Sequence, residues 1–301
     1  MTLVEFMRRF PDNDACLDYL REQHFPDGSN CPGCGRPTRF YRIKGRSAYS
    51  CQFCAHHVYP TAGTIFHKSS TSLQLWFWGI YLVGSSKCGI SAKQLEREIG
   101  VTYKTAWRML HQIRSLLDEA AEPLTGEVEV DETFIGGKLR NSDRRRAAQA
   151  AVSPHSPTIK KREIVVAAVQ RKGEVRATVV PDRTQDTLRS TMREFVMPES
   201  LIFTDELPLY VGIGREYLSH RRINHSARIY VESDGATTNG VESFFALFKN
   251  SVRGAHHSIS AKYLPAYLAE YTFRWNHRKD ATPLFWTILD RVERRDGLGV
   301  A

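Results

Sequence analysis

Two sets of residues in this chain have the types and spacing for chemistry. The first is Cys31-x2-Cys34 and Cys51-x2-Cys54, two pairs with sixteen residues between them. That separation falls in the range used by zinc-binding knuckles. Each C-x-x-C turn aims two thiolates at one ion, and two turns complete a tetrahedron with Zn–S bonds of about 2.3 Å. Four protein ligands leave no open coordination position, so the expected Zn2+ is structural. Pro32 and Gly33 suit a tight turn, His56 and His57 lie close enough to substitute for a ligand, and disulfides or a redox pair are the competing readings. Cys16 and Cys88 are isolated and read as small buried apolar side chains.

The second set is acidic. In "EVEVDE", Glu127, Glu129 and Asp131 alternate with Val128 and Val130, which puts the three acids on one strand face. Asp205 closes "LIFTD", also at a strand end. Glu242 stands in "TTNGVESFFALFKN", where Val241, Phe244, Phe245 and Phe248 mark one apolar helical face. Glu242 lies about a quarter turn from that stripe, with Lys249 and Arg253 on its flank. A glutamate in a first turn also suits the helix dipole, and a lone acid at a strand end ordinarily faces solvent. Together, however, acids at 131, 205 and 242 can hold two Mg2+, or Mn2+ on the same oxygens.

The elements that must position these residues divide the 301-residue chain. Residues 1–70 carry the two C-x2-C pairs, with a zinc ribbon over about 28–60. Residues 71–122 read as helical. From 123 to 290, β-branched runs give way to helical stretches at 185–196, 239–253 and 260–278, a mixed α/β pattern with three consecutive hairpin strands and a fourth reached through a helix. The stretch 137–162 carries eight Lys/Arg against Asp143. A loop this long is functional or disordered, and its charge suits either a phosphate backbone or a solvated surface.

Within the helical region, "SAKQLEREIGVTYKTAWRMLHQIRSLL" opens on Ser91 and Gln94 as a capping box and turns at Gly100. Ala106, Leu110, Ile113 and Leu117 define the buried face of the second helix. Tyr103, Lys104, Arg108, His111 and Arg114 are then expected outward, a set suited to DNA in a major groove, with a plain helical hairpin as the alternative. The net charge of +9 and pI near 9.3 favour a polyanionic partner. The run "LQLWFWGIYLV" is far short of the roughly 20 residues of a membrane span. The start "MTLVEFMRRF" does not read as a signal peptide, so a cytoplasmic location is expected.

The chain resembles bacterial insertion-sequence transposases that join an N-terminal zinc ribbon to an RNase-H-like DDE domain. The carriers are "CPGC" with "CQFC", "AGTIFHKSSTSLQLWFWGIYL", "EVEVDETFIGGK", "FTDELPLY", "NHS" at 224–226, "TNGVESFFALFK" and "YLAEYTFRWNHR". The resemblance implies a zinc ribbon, a helix-turn-helix segment and an RNase-H-like mixed sheet in which Asp131, Asp205 and Glu242 are catalytic and bind two Mg2+. It implies recognition of terminal inverted repeats, 3′-end cleavage and strand transfer into target DNA, with Lys249 and Arg253 gripping phosphates. A homo-oligomer would pair the two ends. Asn239, as a cap, would support the site from behind, and His225 would either lie near the phosphate or be an ordinary capped or buried histidine. Glu206 follows the second aspartate where relatives often have a small residue, and Thr237-Thr238-Asn239 stands where His-Thr-Asn is frequent. A metal-dependent nuclease or resolvase on the same fold, and a zinc-ribbon DNA-binding regulator without catalysis, are the rival classes.

Overall fold

In a computed structural model, residues 1–119, 122–136, 162–223 and 238–292 are described. The chain forms two compact units, Met1–Leu117 with Asp280–Ala301, and Asp118–Lys279.

The first unit starts with α1 (Leu3–Arg9) and α2 (Asn13–His24). Thr2 and Glu5 form a capping box on α1, and the Asp12 carboxylate accepts from the Ala15 amide to start α2. The ribbon is a three-stranded antiparallel sheet of β1 (Phe40–Arg42), β2 (Tyr49–Cys51) and β3 (His57–Val58). Its small core gathers Leu17, Phe25, Phe40, Tyr49 and Val58 around Cys31 and Cys51. So few apolar residues give a sheet of this size little stability alone, which leaves a role for a metal cross-link.

The apolar helix α3 (Leu73–Ser85) is core, with Trp76, Phe77 and Ile80 fully buried. The hairpin α4 (Ala92–Ile99) and α5 (Tyr103–Arg114) follows. Ser91 caps the Gln94 amide, and Gly100 turns the chain at φ +70°, a conformation that costs other residues about 1–2 kcal/mol. Cys16 is buried as expected, whereas Cys88 is exposed.

The expected boundary at 290 is corrected. Residues 280–292 belong to the first unit, because Phe285 stacks among Phe6, Phe10 and Phe77 with ring centroids 5.7, 5.8 and 6.4 Å away. The backbone of Phe285 also presses against Gly84, where a Cβ would come within 2.8 Å.

The second unit is a five-stranded sheet. β4 (Glu127–Ile135), β5 (Glu163–Gln170) and β6 (Val175–Val180) run antiparallel as consecutive strands. α6 (Gln185–Phe195) returns the chain to β7 (Leu201–Asp205), which lies parallel to β4. α7 (Leu209–Ile213) leads to the edge strand β8 (Ser219–Ile223), parallel to β7. The order is β6-β5-β4-β7-β8, the RNase-H-like sheet. β8 escaped the sequence reading because "SHRRI" has no apolar alternation to mark it.

α8 (Asn239–Ser251) and α9 (Leu264–Asn276) complete the unit. Strand periodicity sends Val128 and Val130 to one face, where they meet Leu188, Met192 and Tyr210. The opposite face carries Ile135, Val165, Ala167 and Val169 against Val241, Phe244, Phe245 and Phe248 of α8 and Leu268 and Tyr271 of α9. The odd-numbered residues of β4, Asp131 among them, therefore look towards the helix that carries Glu242. Among the described residues, no helix is long and apolar enough to cross a membrane.

Candidate active site and zinc centre

The four cysteines meet. Their sulfurs all lie within 4.8 Å of one another, with Cys31 Sγ 3.6 Å from Cys54 Sγ and Cys34 Sγ 4.0 Å from Cys51 Sγ. A tetrahedron with Zn–S bonds of about 2.3 Å requires S···S separations near 3.8 Å, whereas a disulfide requires about 2.05 Å. The spacing fits the ion. The Gly33 amide donates to Cys31 Sγ at 3.3 Å and the Phe53 amide to Cys51 Sγ at 3.4 Å, as expected of knuckles that stabilise thiolates. His56 is packed over Gly33, where a Cβ would come within 2.7 Å of it.

The acids come together by register. Glu129 pairs with Phe203 across parallel β4 and β7. The pairing ends there, and Asp131 and Asp205 each lie two residues further along their strands, on the same face as Glu129 and Phe203. Asp131 Oδ1 accepts from the Glu132 amide at 2.8 Å, and Asp205 Oδ1 from the Leu207 amide at 3.0 Å. Glu242 is exposed in the first turn of α8, where its Oε1 accepts from Thr238 Oγ1 at 3.4 Å.

Asp131 feels the neighbouring carboxylates. Burial, then Glu132, Asp205 and Glu242, push the Asp131 carboxyl up to about 7. Burial lowers Lys249, and Asp131 pulls it back up, so the ammonium lies within the field of the acids. No trio of carboxylates among the described residues closes to the spacing of the cysteines. Like charges without cations hold themselves apart, and a pair of divalent ions some 3.5–4 Å apart needs ligands spread over that span. Several oxygens of high charge density on one sheet edge suit Mg2+ or Mn2+, which take oxygen ligands.

Residues beyond the predicted set also shape this region. Glu129, placed by alternation on the face of Asp131, is 3% exposed and accepts from the Gly240 and Val241 amides at 2.7 and 3.1 Å. Asn239 is therefore corrected as the cap. It is the first helical residue and exposed, Thr238 occupies the cap position without a capping side-chain bond, and the carboxylate that meets the helix start comes from β4. Glu132 points to the other face, accepting from Tyr210 Oη at 2.6 Å and pairing with Arg183 at 3.1 Å. Alternation placed Glu129 on the correct face but gave no sign that a helix covers it.

On α5, Tyr103, Lys104 and Arg108 are exposed, with Arg108 donating to Ser69 Oγ at 3.2 Å. His111 is half-buried against the Trp107 ring, and burial followed by Arg114 holds it below its ordinary value, so it is neutral at pH 7. Arg114, expected outward, is corrected: it is 2% exposed, on the Leu110 and Leu117 flank of the buried face of α5. Lys249 is half-buried and Arg253 exposed. Of the basic stretch 137–162, residues 137–161 lie outside the described residues, as do Thr237 and His225.

Comparison with known proteins identifies the family. The ISXO2-like transposase domain matches residues 123–276, and the transposase zinc-ribbon domain matches residues 11–57. An uncharacterised protein in transposable element ISH50 of Halobacterium salinarum is 24% identical over 292 residues, 94% of this chain and 98% of the relative. An uncharacterised transposase-like protein of Haemophilus influenzae is 31% identical over 106 residues, 35% of this chain and 84% of the relative. Among solved structures, the simian T-cell lymphotropic virus intasome in complex with PP2A regulatory subunit B56 gamma aligns over 74% of this chain and 78% of its own, at 17% identity and a TM-score of 0.32. With a transposase domain spanning half of its length behind a four-cysteine ribbon, the chain belongs to the ISXO2-like transposase family.

Proposed function

We propose that this transposase cleaves the ends of an insertion sequence and joins them to target DNA, using Asp131, Asp205 and Glu242 as its catalytic carboxylates. One observation supports the reading: Asp131 lies two residues past the paired Glu129 on the face covered by α8, and both Asp205 and Glu242 act on its carboxyl. When bound there, Mg2+ or Mn2+ supplies activation of the attacking oxygen and stabilisation of the leaving 3′ oxygen.

The chain's own part is positioning. Asp131 and Asp205 are fixed by strand backbone and by the amides they accept from, while Glu242 is fixed by an aromatic helix face packed into the sheet. Lys249, within the field of Asp131, and Arg253 beyond it grip DNA phosphates next to the scissile bond. Water attacks first and frees a 3′-OH. That hydroxyl then attacks target DNA, and each step exchanges one phosphodiester for another bond without an external energy source. Tyr103, Lys104 and Arg108 of the helix-turn-helix, together with the ribbon, read the terminal inverted repeats. Phosphate contacts make this affinity fall steeply with salt. Pairing of two ends calls for a dimer or larger assembly.

Oligonucleotides carrying the element's own ends test the reading. Pre-cleaved ends are expected to be joined to plasmid DNA in Mg2+, and Asp131→Ala is expected to abolish joining. Nicking without joined product would assign the chain to nucleases. Unchanged joining by Asp131→Ala would remove the carboxylates from the chemistry.

A further inference from the structure

Glu129 stands two residues before Asp131 on β4 and is almost fully buried. A buried carboxylate is costly unless it is paired and hydrogen-bonded, and Glu129 is both. Its Oε2 accepts from the Gly240 and Val241 amides in the first turn of α8. Its Oε1 meets Arg171 Nε at 3.3 Å. Arg171 lies over the Phe203 ring at 3.9 Å, and Phe203 is the register partner of Glu129 on β7. The same guanidinium also pairs with Glu127 at 2.7 Å.

These contacts join β4, β7 and α8, the three elements that carry Asp131, Asp205 and Glu242. The first amides of a helix have no partner within it, and Thr238 at the cap offers no capping side-chain bond. A carboxylate there is favoured by hydrogen bonding and by the helix dipole together. Gly240 makes the approach feasible: a Cβ at that position would lie 2.8 Å from Glu129 Oε2. Glu242 is two residues further on.

We propose that Glu129, braced by Arg171 and fitted against Gly240, is a positioning residue that ties the first turn of α8 to β4 and so sets Glu242 against Asp131 and Asp205. The inference rests on the reading of that trio as the divalent-cation site. Glu129 touches neither substrate nor reacting atoms; it acts through the helix. A carboxylate that only held the fold together would cost stability when removed and leave metal affinity and chemistry in proportion to the folded fraction.

The test uses the full-length, zinc-loaded protein and Mn2+ as the probe, with free Mn2+ followed by electron paramagnetic resonance. Asp131→Asn identifies the site. Relative to wild type, Glu129→Ala is expected to weaken Mn2+ binding at least about tenfold, the scale of lost outer-shell support. Glu129→Gln, whose amide oxygen can still accept from Gly240 and Val241, is expected to lose less. In end-cleavage assays kcat falls while affinity for end DNA is unchanged, and hydrogen exchange at the Gly240 and Val241 amides speeds up. Should Glu129→Ala not fold, Glu129→Gln and Gly240→Ala carry the experiment. Gly240→Ala leaves every charge in place and is expected to weaken Mn2+ binding several-fold by displacing the turn.

Faster exchange at the two amides with unchanged Mn2+ affinity and unchanged kcat in the folded variants would overturn the positioning role and leave the proposed function standing. Wild-type protein with no Mn2+ binding that depends on Asp131 would overturn the site itself, and the positioning role with it.

Discussion

The zinc ribbon and the acidic site are built on opposite plans. The ribbon takes its four ligands from two short turns, Cys31 with Cys34 and Cys51 with Cys54, brought together by three small strands. The proposed acidic site would take its ligands from three elements, a step of 74 residues from Asp131 to Asp205 and a further 37 to Glu242. Soft thiolates tolerate crowding because one ion sits among them, and their sulfurs converge within 4.8 Å. The carboxylates repel, stay further apart and depend on sheet register and helix packing for their placement. A local site tolerates change elsewhere in its unit; a dispersed site inherits every error in the fold.

Four experiments break or sharpen this contrast. Chelation of zinc has the largest expected effect, because structural Zn2+ in such peptides contributes about 10–16 kcal/mol of apparent binding energy that is also folding energy. One zinc per chain is expected in native mass spectrometry. Its removal is expected to abolish the near-ultraviolet circular dichroism of the ribbon aromatics Tyr49 and Phe40 and to abolish end binding. A chelated protein that keeps both would mean that the ribbon core holds itself.

Next in size is Asp205→Ala. Loss of one carboxylate from the trio is expected to lower cleavage about a thousandfold, or about 4 kcal/mol of barrier, with end-DNA affinity retained. A gel-shift titration beside single-turnover cleavage separates the two quantities. Equal losses in both would point to misfolding and weaken the contrast.

The pH dependence of stability comes third. Asp131 holds its proton up to about 7 in the folded chain, against about 3.9 for an ordinary aspartate. The folded state therefore binds more protons than the unfolded state between these values, and stability of the metal-free second unit falls as pH rises through that window. Added Mg2+ acts in the opposite sense, because a ligand must be deprotonated, so its stabilisation grows from pH 5 to pH 8. Thermal melts with and without Mg2+ check both directions, and Asp131→Asn is expected to flatten them.

The smallest effect is Gly33→Ala in the ribbon. A Cβ there meets His56 at 2.7 Å, and crowding of this kind costs about 1–3 kcal/mol. A lower melting temperature with zinc still at one per chain is expected, since the four thiolates remain in place.

The two plans also explain what could be read in advance. The ribbon was legible because its chemistry and its spacing occur together in one short stretch. Of the proposed dispersed site, each acid and the apolar stripe of α8 were visible, whereas the parallel pairing of β4 with β7 was not. What alternation cannot carry is cover from distant chain. Glu129 reads as one of three acids on a strand face until α8 is laid over it, and Arg114 reads as outward although it is 2% exposed in the fold. Residues 280–292 follow the catalytic domain in sequence, yet their aromatics belong to a core begun by Phe6 and Phe10. Strand β8 had no pattern to show, because an edge strand with one buried position need not alternate.

The central claim is that Asp131, Asp205 and Glu242 share divalent cations. Anomalous diffraction from crystals soaked in Mn2+ tests it most directly. The account predicts Mn2+ peaks within bonding distance of oxygens from all three side chains, and their loss in Asp131→Asn. Peaks elsewhere on the chain, with these three carboxylates left unbound at saturating Mn2+, would contradict it.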